Sequence, residues 1–562
     1  MKNFKKLFSL LNYKNKKRYY IILFVGIIAN ITEVLTLGII YPFSELAQNN
    51  IIVINKFKSY FNFIGLKYSF SLLFLIVIGF TILAMLVRLL YTYFFASYSS
   101  KCSQQIMSNA YDRLLNSQSY DLNLFPSNEL IITISQRVQF VINSVLIGTI
   151  NIIFNLLYVV IILSLLISLN PIYAFSTILL FFIFYFIMYF SSQTGIDKDS
   201  RITGFYLNEE VRIIQETIGA YRFIRFFHDK NIFSKNFKTV LQVLLQAQKN
   251  ITIRGLMPKP ILDTIIIIIF VTIIYWIFSI SETSYNVSSI IIFIFATTRL
   301  IPALNILYVS FIGYIGSNDN MNYVLKVMNI EDNLKYNSEG IIHITNKITI
   351  NDICFSYETN INNVVLKNIS FEIKKGTIFG IFGPSGSGKS TLIDVILGIL
   401  RPSSGSILYN GIDYNYLQRT KNEFYRINAG IVPQTVFLFN ESIIFNITLN
   451  NDISKIDFKY LNCIISDCKL DFIYNLPLGL NTQIGENGYS ISGGQRQRIG
   501  IARALYLKSD LLVMDESTNA LDDYTENSLM SNIKSNYKNL TVLFISHNTS
   551  LKIFCNDYFE FK

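Results

Sequence analysis

Six long apolar stretches constrain the fold of this 562-residue chain more than any other feature. A helix that crosses a lipid bilayer needs roughly 20 mostly apolar residues, and each stretch reaches that length. The stretches cover approximately residues 19–43, 70–95, 140–169, 171–190, 260–280 and 287–314. A large soluble helical protein is the alternative, but it would have to bury all six runs. With 51% hydrophobic and only 15% charged residues, the composition favours six membrane-spanning helices.

Basic residues beside these stretches indicate their orientation, because lysine and arginine accumulate in the cytoplasmic segments next to membrane helices. The first stretch follows Lys2, Lys5, Lys6, Lys14, Lys16, Lys17 and Arg18, and residues 193–257 carry ten basic against six acidic side chains. Both segments are therefore expected in the cytosol. Membrane orientation accounts for the net charge of +11 better than nucleic-acid binding does, so we expect no nucleic-acid partner.

The chain changes character after the last apolar stretch. From about residue 341 to 562, short β-branched runs such as Ile378 to Phe382 alternate with helical patterns, which is typical of an α/β domain. Residues 318–340, between the two parts, are polar. We therefore expect a transmembrane domain over residues 1–317, a linker over residues 318–340 and an α/β domain over residues 341–562.

A glycine-rich sequence follows one of the predicted strands and fits the phosphate-binding pattern G-x-x-x-x-G-K-[ST]. It consists of Gly383, Pro384, Ser385, Gly386, Ser387, Gly388, Lys389, Ser390 and Thr391. Between a strand and a helix, such a loop points backbone N–H groups at phosphate oxygens. We expect Lys389 to contact the β and γ phosphates of ATP and the Ser390 hydroxyl to bind Mg²⁺. A chance glycine-rich turn is the alternative.

Two acidic residues and a histidine follow other predicted strands. Asp515 and Glu516 end the apolar run that begins at Leu511, and His547 follows the apolar run that ends at Ile545. A carboxylate at the end of a buried strand is suited to hold Mg²⁺, and one near a γ phosphate is suited to act as a general base. Acidic pairs are more often solvated and lone histidines are more often structural. Their positions after strands, downstream of the phosphate loop, favour the ATP-site interpretation.

Ser492, Gly493, Gly494 and Gln495 open a basic helix ahead of the acidic pair. Together with the phosphate loop, this sequence resembles the nucleotide-binding domain of ABC proteins, and six helices followed by one such domain resemble a half-size ABC exporter. The resemblance implies an α/β P-loop ATP-binding cassette whose cofactors are ATP and Mg²⁺. The sequence departs from the family pattern at Ile491, Asn519 and Asn548, where leucine, serine and arginine are commoner.

The resemblance also implies roles for individual residues of the cassette. Glu516 would activate the attacking water, His547 would contact the γ phosphate, and Asp515 would help to hold Mg²⁺. Gln434 would reach both the Mg²⁺ and the water, and Tyr357 would stack on the adenine.

One chain contains only one copy of each motif. In the family, the segment from Ser492 to Gln495 closes on ATP that is held by another nucleotide-binding domain, and Asp522 would cross the same interface. The resemblance therefore implies a homodimer with two equivalent ATP sites.

Charged residues inside the apolar stretches bear on the transported molecule, because a charge in the bilayer is costly and faces a cavity or a partner. These residues are Glu33, Arg88, Asp263 and Arg299, with Lys259 at an inner boundary. Contact of Lys259, Arg299 and Arg88 with an anionic substrate is one explanation. Mutual neutralisation between helices, or snorkelling of the side chains to the interface, is the other.

Glu33 before Tyr41 to Phe43, Arg88, and Arg299 to Pro302 resemble the corresponding residues of bacterial flippases of lipid-linked oligosaccharides. The resemblance implies ATP-driven movement of a polyprenyl-pyrophosphate glycan, used in protein glycosylation, from the inner to the outer leaflet. It places the chain in the bacterial inner membrane, among membrane lipids, with a cytoplasmic nucleotide-binding domain. Export of a peptide, a drug or another lipid is the alternative. A non-transporting ATP-dependent sensor is a third possibility, which the intact Glu516 and His547 disfavour.

Overall fold

The computed structural model divides the chain into two compact units, a helical unit that extends to residue 330 and an α/β unit that begins at residue 340. The residues that it describes are 2–47, 70–116, 125–169, 171–226, 230–280, 287–330, 340–357, 364–414, 426–485 and 491–561. Each unit has hydrophobic clusters of its own, as expected of separate domains.

Long helices build the helical unit. They are α1 (Lys2–Ser9), α2 (Tyr13–Ala47), α3 (Phe70–Asn116), α4 (Ser127–Ile132), α5 (Val138–Val141), α6 (Gly148–Leu169), α7 (Pro171–Gly219), α8 (Tyr221–Phe226), α9 (Asn231–Leu256), α10 (Pro258–Ile280), α11 (Val287–Gly316) and α12 (Asn318–Met328). Two π-helical segments, Thr133–Arg137 and Ile142–Ile147, join α4, α5 and α6 into one rod. Helices α3 and α7 have 47 and 49 residues, which is about 70 Å each and far more than a bilayer requires.

The six predicted spans all lie on helical segments. They fall on α2, α3, α5 to α6, α7, α10 and α11. Within the described residues, five helical stretches are long and apolar enough to cross a membrane, namely Tyr13–Ile39, Phe74–Asn116, Ser127–Ser168, Ile178–Gly219 and Ile294–Gly316. The fifth predicted span coincides with α10, which is not among these five.

Apolar residues of these helices divide between an inner and an outer surface. Val34 of α2, Ile162 of α6 and Leu300 of α11 belong to one buried cluster. Other large apolar side chains point outward, and Phe24 and Phe182 are 64% and 65% exposed. An apolar exterior around a packed interior is what helices in contact with lipid require.

The residues predicted as a linker begin with a helix instead. In α12, Met321, Val324, Val327 and Met328 are buried in a cluster of the helical unit. Their spacing places them on one face of a helix, so the burial of that face explains why this polar-looking segment is helical. Residues 331–339 of the predicted linker lie outside the described residues.

Three sheets and the helices between their strands form the α/β unit. The strands are β1 (Ile341–Ile342), β2 (Lys347–Ser356), β3 (Val364–Lys374), β4 (Ile378–Phe382), β5 (Ser404–Tyr409), β6 (Ile412–Asp413), β7 (Arg426–Ile427), β8 (Ala429–Val432), β9 (Leu511–Asp515), β10 (Thr541–Ile545) and β11 (Asp557–Glu560). The helices are α13 (Lys389–Ile396), α14 (Ile443–Thr448), α15 (Phe458–Asp467), α16 (Gly493–Tyr506) and α17 (Asp523–Asn536).

A five-stranded parallel sheet in the order β11-β4-β10-β9-β8 forms the centre of this unit, and β3-β2-β5-β6 form an antiparallel sheet. Alternate residues of β4 enter two different clusters, with Ile378 and Phe382 in one and Phe379 and Ile381 in the other. Burial on both faces explains why the central strands read as continuous apolar runs.

The register of the central sheet brings the ends of three strands together. Ile545 of β10 lies opposite both Asp515 of β9 and Ile381 of β4. The segments that follow parallel strands therefore leave from one edge of the sheet, where ligands of α/β proteins bind. The phosphate loop, Glu516 and His547 all leave from this edge.

Candidate active site

The glycine-rich loop connects β4 to α13, as the sequence predicts. Gly383, Gly386 and Gly388 have φ angles of 152°, 80° and 95°, which a residue with a side chain rarely adopts. A Cβ atom on Gly388 would lie 3.0 Å from Leu366 and 3.1 Å from Val365. The loop therefore needs glycine for its backbone conformation and also for close packing against β3.

Lys389 lies inside this loop and is 5% exposed. Its ammonium group donates hydrogen bonds of 2.9 Å and 2.8 Å to the carbonyl oxygens of Gly383 and Pro384. Its Nζ also lies 3.9 Å from Oε1 of Glu516. The buried Ser387 hydroxyl has no hydrogen-bond partner within the described residues. A buried cation and an unused hydroxyl inside a glycine loop fit a polyphosphate ligand.

Ser390 and Asp515 provide oxygen ligands suited to Mg²⁺. Burial is the main cause of the raised pKa of Asp515, and the nearby Ser390 hydroxyl partly offsets it by lowering that pKa. Burial, reinforced by the charge of Asp515, also raises the pKa of Asp394 to about 6. The Ser390 hydroxyl and the partly desolvated Asp515 carboxylate are hard oxygen donors, which Mg²⁺ prefers. The carboxyl group of Asp394 lies close to Asp515.

Glu516 is held by donors from two other segments. Its Oε2 accepts hydrogen bonds of 2.9 Å from Nε2 of Gln434 and 3.2 Å from Nδ2 of Asn519. Its own backbone has a φ of 46°, in the left-handed region, and its N–H donates to the Ile545 carbonyl. These contacts fix the carboxylate beside Lys389, where a water next to a γ phosphate would lie.

The segment from Ser492 to Gln495 begins α16. The Ser492 hydroxyl accepts from the Gln495 N–H at 3.2 Å, and the Gln495 side chain accepts from the Ser492 N–H at 3.0 Å, which forms a capping box. A Cβ on Gly494 would lie 2.9 Å from the Ala520 carbonyl oxygen, whereas one on Gly493 would lie 3.6 Å from the Ala520 Cβ. The helix start therefore packs tightly on the segment that follows Glu516.

The predicted residues form two separate groups of contacts. In the part of the chain that the structure describes, no hydrogen bond or ion pair joins the side chains of Ser492 and Gln495 to Lys389 or Glu516. Asp522 caps α17 by accepting from the Thr525 N–H and hydroxyl, and these bonds lower its pKa.

Tyr357 and His547 lie at the margins of the site. The Tyr357 ring is 41% exposed, and its hydroxyl lies 3.2 Å from the Thr391 hydroxyl of α13. A partly exposed ring tied to the phosphate-loop helix is available to stack on a base. His547 is exposed and follows Ser546 at the end of β10.

Asn519, Asp394 and Gln497 belong to the site but were not expected from the sequence. Asn519 was noted only as a departure from the family pattern, although its amide contacts Glu516. Gln497 is 7% exposed and accepts from the Ala520 N–H at 3.0 Å, so it positions the segment that carries Asn519. Asp394 is partly buried between apolar neighbours of α13, and Gln497 is buried in α16.

The charged residues of the spans meet in the helical unit. Glu33 accepts a hydrogen bond of 2.9 Å from Arg299 and forms a second ion pair with Arg88. All three residues line a cavity of about 380 Å³ with Tyr158 and Asn155. Lys259 is exposed and does not line this cavity. Mutual neutralisation between helices is thus observed for Glu33, while both arginines remain half exposed.

The α/β unit has the sheet order and the phosphate loop of a P-loop ATP-binding cassette, and it follows a helical unit with membrane-length helices. Residues 366–519 match the family described as ABC transporter. The chain also has the fold of a bacterial Atm1-family ABC exporter whose structure contains bound ATP. The two chains align with a TM-score of 0.76 and 19% identity, over 98% of this chain and 94% of the other. The predicted fold class is thereby confirmed.

Curated relatives are similar over part of their length. The heterocyst differentiation ATP-binding protein HepA of Nostoc sp. is 30% identical over 340 residues, which is 60% of this chain and 54% of HepA. The alpha-hemolysin translocation ATP-binding protein HlyB of Escherichia coli is 41% identical over 37% of this chain and 29% of HlyB. The ATP-dependent lipid A-core flippase of Photobacterium profundum is 36% identical over 39% of this chain and 36% of the flippase. These matches cover about half or less of each relative.

Proposed function

We propose that this chain is one half of a homodimeric ABC exporter, which hydrolyses ATP with Mg²⁺ and moves an anionic lipid across a bacterial inner membrane. The observation that carries the proposal is the constellation of Lys389, Glu516 and Gln434 in a chain that also has membrane-length helices. The fold, with its cytoplasmic nucleotide-binding domain and multi-pass helical unit, supports the same function.

The side chains of the site divide the chemistry of hydrolysis among them. Lys389 binds the β and γ phosphates in place of the carbonyls of Gly383 and Pro384. Glu516 takes the proton from the attacking water, and Gln434 and Asn519 keep its carboxylate in position through 2.9 Å and 3.2 Å hydrogen bonds. Ser390, Asp515 and Gln434 would hold Mg²⁺, which neutralises charge on the phosphates when bound. His547 would contact the γ phosphate, and Tyr357 would stack on the adenine.

Two copies of the chain complete each ATP site in this proposal. The start of α16 presents N–H groups at a helix amino terminus, a position that favours phosphate. Because its side chains bond within their own segment, this helix end remains available for ATP held by the partner. Asp522 lies close in sequence to the Ala520 contact and would be near the same interface.

A lipid-linked oligosaccharide, as a polyprenyl-pyrophosphate glycan, is the proposed cargo. Support comes from the cavity of about 380 Å³, in which two arginines share one glutamate. The remaining positive charge suits a phosphate-containing head group. Lys259, exposed at the start of α10, is proposed as a first contact for that head group. The apolar segment at residues 51–64, between the first two predicted spans, is proposed to guide the lipid tail, and an extension of one of these two helices is the alternative. The segment lies outside the described residues.

The relatives support a second class of cargo. One is named for alpha-hemolysin translocation, one as a lipid A-core flippase and one as a multidrug resistance-like protein of Buchnera aphidicola. A peptide, a drug or another lipid is therefore the alternative cargo. A non-transporting sensor would not need the hydrogen-bonded Glu516, so that class is disfavoured.

Reconstitution tests the proposal directly. The purified protein in proteoliposomes should carry a fluorescent polyprenyl-pyrophosphate oligosaccharide to the opposite leaflet when ATP is added, and the Glu516→Gln variant should not. ATP hydrolysis without movement of this lipid would refute the cargo and leave the exporter proposal standing. Absence of ATP hydrolysis by the wild-type protein would refute both.

A further inference from the structure

A second cavity, of about 650 Å³, lies in the helical unit. Residues of α7, α9 and α11 form its wall together with the two π-helical segments, and α12 contributes Asn320. Because α12 is the last helix of this unit, the cavity lies at the end of the bundle from which the chain continues towards the nucleotide-binding domain. We call it the lower cavity.

Arg137 is the one charged residue in the described wall of the lower cavity, and it is 1% exposed. Its guanidinium donates to the Gly204 carbonyl at 3.0 Å and to the Asn208 side chain at 2.9 Å. Its Cζ lies 3.8 Å from the centre of the Tyr323 ring. All of these partners are neutral.

No carboxylate of the described residues forms an ion pair with Arg137. Glu129 is the acidic group whose charge acts on it, without reaching ion-pair distance. The Nε of Arg137 has no hydrogen-bond acceptor among the described residues either. A buried cation without an ion-pair partner costs several kcal/mol, so Arg137 is a candidate for a functional role.

The helix geometry around Arg137 is also unusual. Arg137 ends the first π-helical segment, and Ser144 on the wall of the lower cavity lies in the second. Isolated π turns inside helices are rare and occur frequently at functional sites, because they redirect side chains that a regular helix would point elsewhere. Here they present Gln136, Arg137 and Ser144 to one cavity.

Other hydrogen-bonding groups line the lower cavity together with Arg137. The side chains of Gln136, Gln248, Asn320 and Ser144 have no hydrogen-bond partner among the described residues. Three of them are amides, each of which can donate two hydrogen bonds. The rest of the wall is mostly apolar, as at Phe140 and Ile251. An anionic group attached to an apolar chain matches this combination.

We propose that the lower cavity binds the anionic head group of a membrane amphiphile, with Arg137 as its counter-charge and the three amides as hydrogen-bond donors. This inference rests on the proposed function, because it assigns the same phosphate-containing head group to a second place on the route. Helix α11 lines both cavities, with Pro302 in the cavity beside Glu33 and Ile312 in the lower one. These residues are ten positions apart, or about 15 Å along a helix. The lower cavity is then a loading site.

Binding of farnesyl pyrophosphate to the full chain in nanodiscs tests this inference. The measurements use the Lys389→Ala background without Mg²⁺, so that the phosphate loop does not retain the probe. Two sites per chain are expected.

Arg137→Gln should weaken one of them about tenfold or more, and Arg137→Lys less, because the charge remains. Gln136→Ala and Gln248→Ala should weaken the same site several-fold with an unchanged Tm, since neither side chain holds the fold. Gln139→Ala, an exposed residue of α5 outside the cavity wall, is the matched control.

Several outcomes would overturn the inference. Equal binding by the Gln136→Ala and Gln248→Ala variants and the parent would mean that Arg137 only joins the first π-helical segment to α7 and α12. Equal binding of farnesol would exclude recognition of the anion, and equal binding of inorganic pyrophosphate would exclude an amphiphile. A single site, lost in Arg299→Ala and kept in Arg137→Gln, would end this inference and leave the proposed cargo standing. Absence of saturable binding at either cavity would end both.

Discussion

Nε2 of Gln434 lies 2.9 Å from Oε2 of Glu516, although 82 residues separate them in the chain. An amide N–H donates to a carboxylate most strongly when that carboxylate is ionised. The contact therefore fixes the position of the Glu516 carboxylate, as a general base requires. It also joins the segment after β8 to the segment after β9, which are neighbouring strands.

Glu516→Gln should keep ATP binding and lower turnover about a hundredfold or more, because the base is lost while the phosphate loop is intact. Steady-state ATPase rates and nucleotide-binding isotherms of the full chain check this. Glu560→Gln, which changes an exposed glutamate paired with Lys552, is the matched control and should match the wild type. Wild-type turnover in Glu516→Gln would remove this residue from the chemistry.

Asn519→Ala should lower kcat several-fold and leave KM for ATP nearly unchanged, because its amide positions the Glu516 carboxylate at 3.2 Å. One hydrogen bond to a charged group is worth about 1.5–3 kcal/mol at most. Asn532→Ala, whose amide instead bonds to the Asp467 carbonyl, is the control. A rise in KM with kcat intact would assign Asn519 to nucleotide binding and not to positioning of the base.

Gly494→Ala should destabilise the nucleotide-binding domain by about 1–3 kcal/mol, because the added Cβ meets the Ala520 carbonyl. Gly493→Ala is the matched variant, since its Cβ lies at an ordinary contact distance of 3.6 Å from Ala520. Alanine also favours a helix over glycine, so Gly493→Ala should keep or raise Tm. Equal Tm values for the two variants would contradict the packing described at the start of α16.

Glu33→Gln should destabilise the helical unit by about 1–2 kcal/mol, because it leaves Arg88 and Arg299 without their shared counter-charge. Adding Arg299→Gln should restore part of the loss, since only one arginine then remains for the neutral amide. A double-mutant cycle on the thermal unfolding midpoint measures this coupling. Strictly additive effects would show that the three side chains do not stabilise one another.

The pKa of Asp394, raised to about 6 by burial and then by Asp515, makes stability depend on pH. The pKa of an aspartate in the unfolded chain is about 3.9, so the folded domain binds this proton more tightly. Stability from this group is therefore present below about pH 4 and is lost as pH rises through about 6. Asp394→Asn should be more stable than the wild type by about 1–2 kcal/mol at pH 7.5, after allowance for partial exposure.

Thermal unfolding in EDTA between pH 4.5 and 8 checks this prediction. The Tm advantage of Asp394→Asn should shrink as pH falls through 6. An advantage that is constant with pH would mean that ionisation of Asp394 is not its cause.

The central sheet and its edge could be predicted from the sequence because they depend on short-range patterns. The run Ile378 to Phe382 is apolar on both faces, and Gly383 follows it immediately, so both the strand and the loop were predicted with their bounds. The same holds for the run that ends at Asp515. A parallel strand buried on two sides leaves few alternatives for such a run.

Contacts between distant segments could not be predicted in this way. The amide of Asn519 reaches Glu516 because the backbone turns at a left-handed residue, and no local pattern specifies that turn. The pKa of Asp394 is raised because folding buries its carboxyl group and also brings it near Asp515. The pairing of Glu33 with two arginines depends on how α2, α3 and α11 pack. Helix α12 shows the opposite case, because its apolar spacing was present but was outweighed by polar neighbours.

The positive φ of Glu516 gives this residue a thermodynamic signature that is independent of any assay of transport. A non-glycine residue in the left-handed region costs of order 1 kcal/mol, and only glycine adopts it freely. The backbone conformation of the proposed base, Glu516, therefore destabilises the folded domain. Glu516→Gly should therefore unfold at a higher temperature than Glu516→Ala, while both are equally inactive. Calorimetry of these two variants would measure how much stability the domain loses to the backbone conformation of its proposed base.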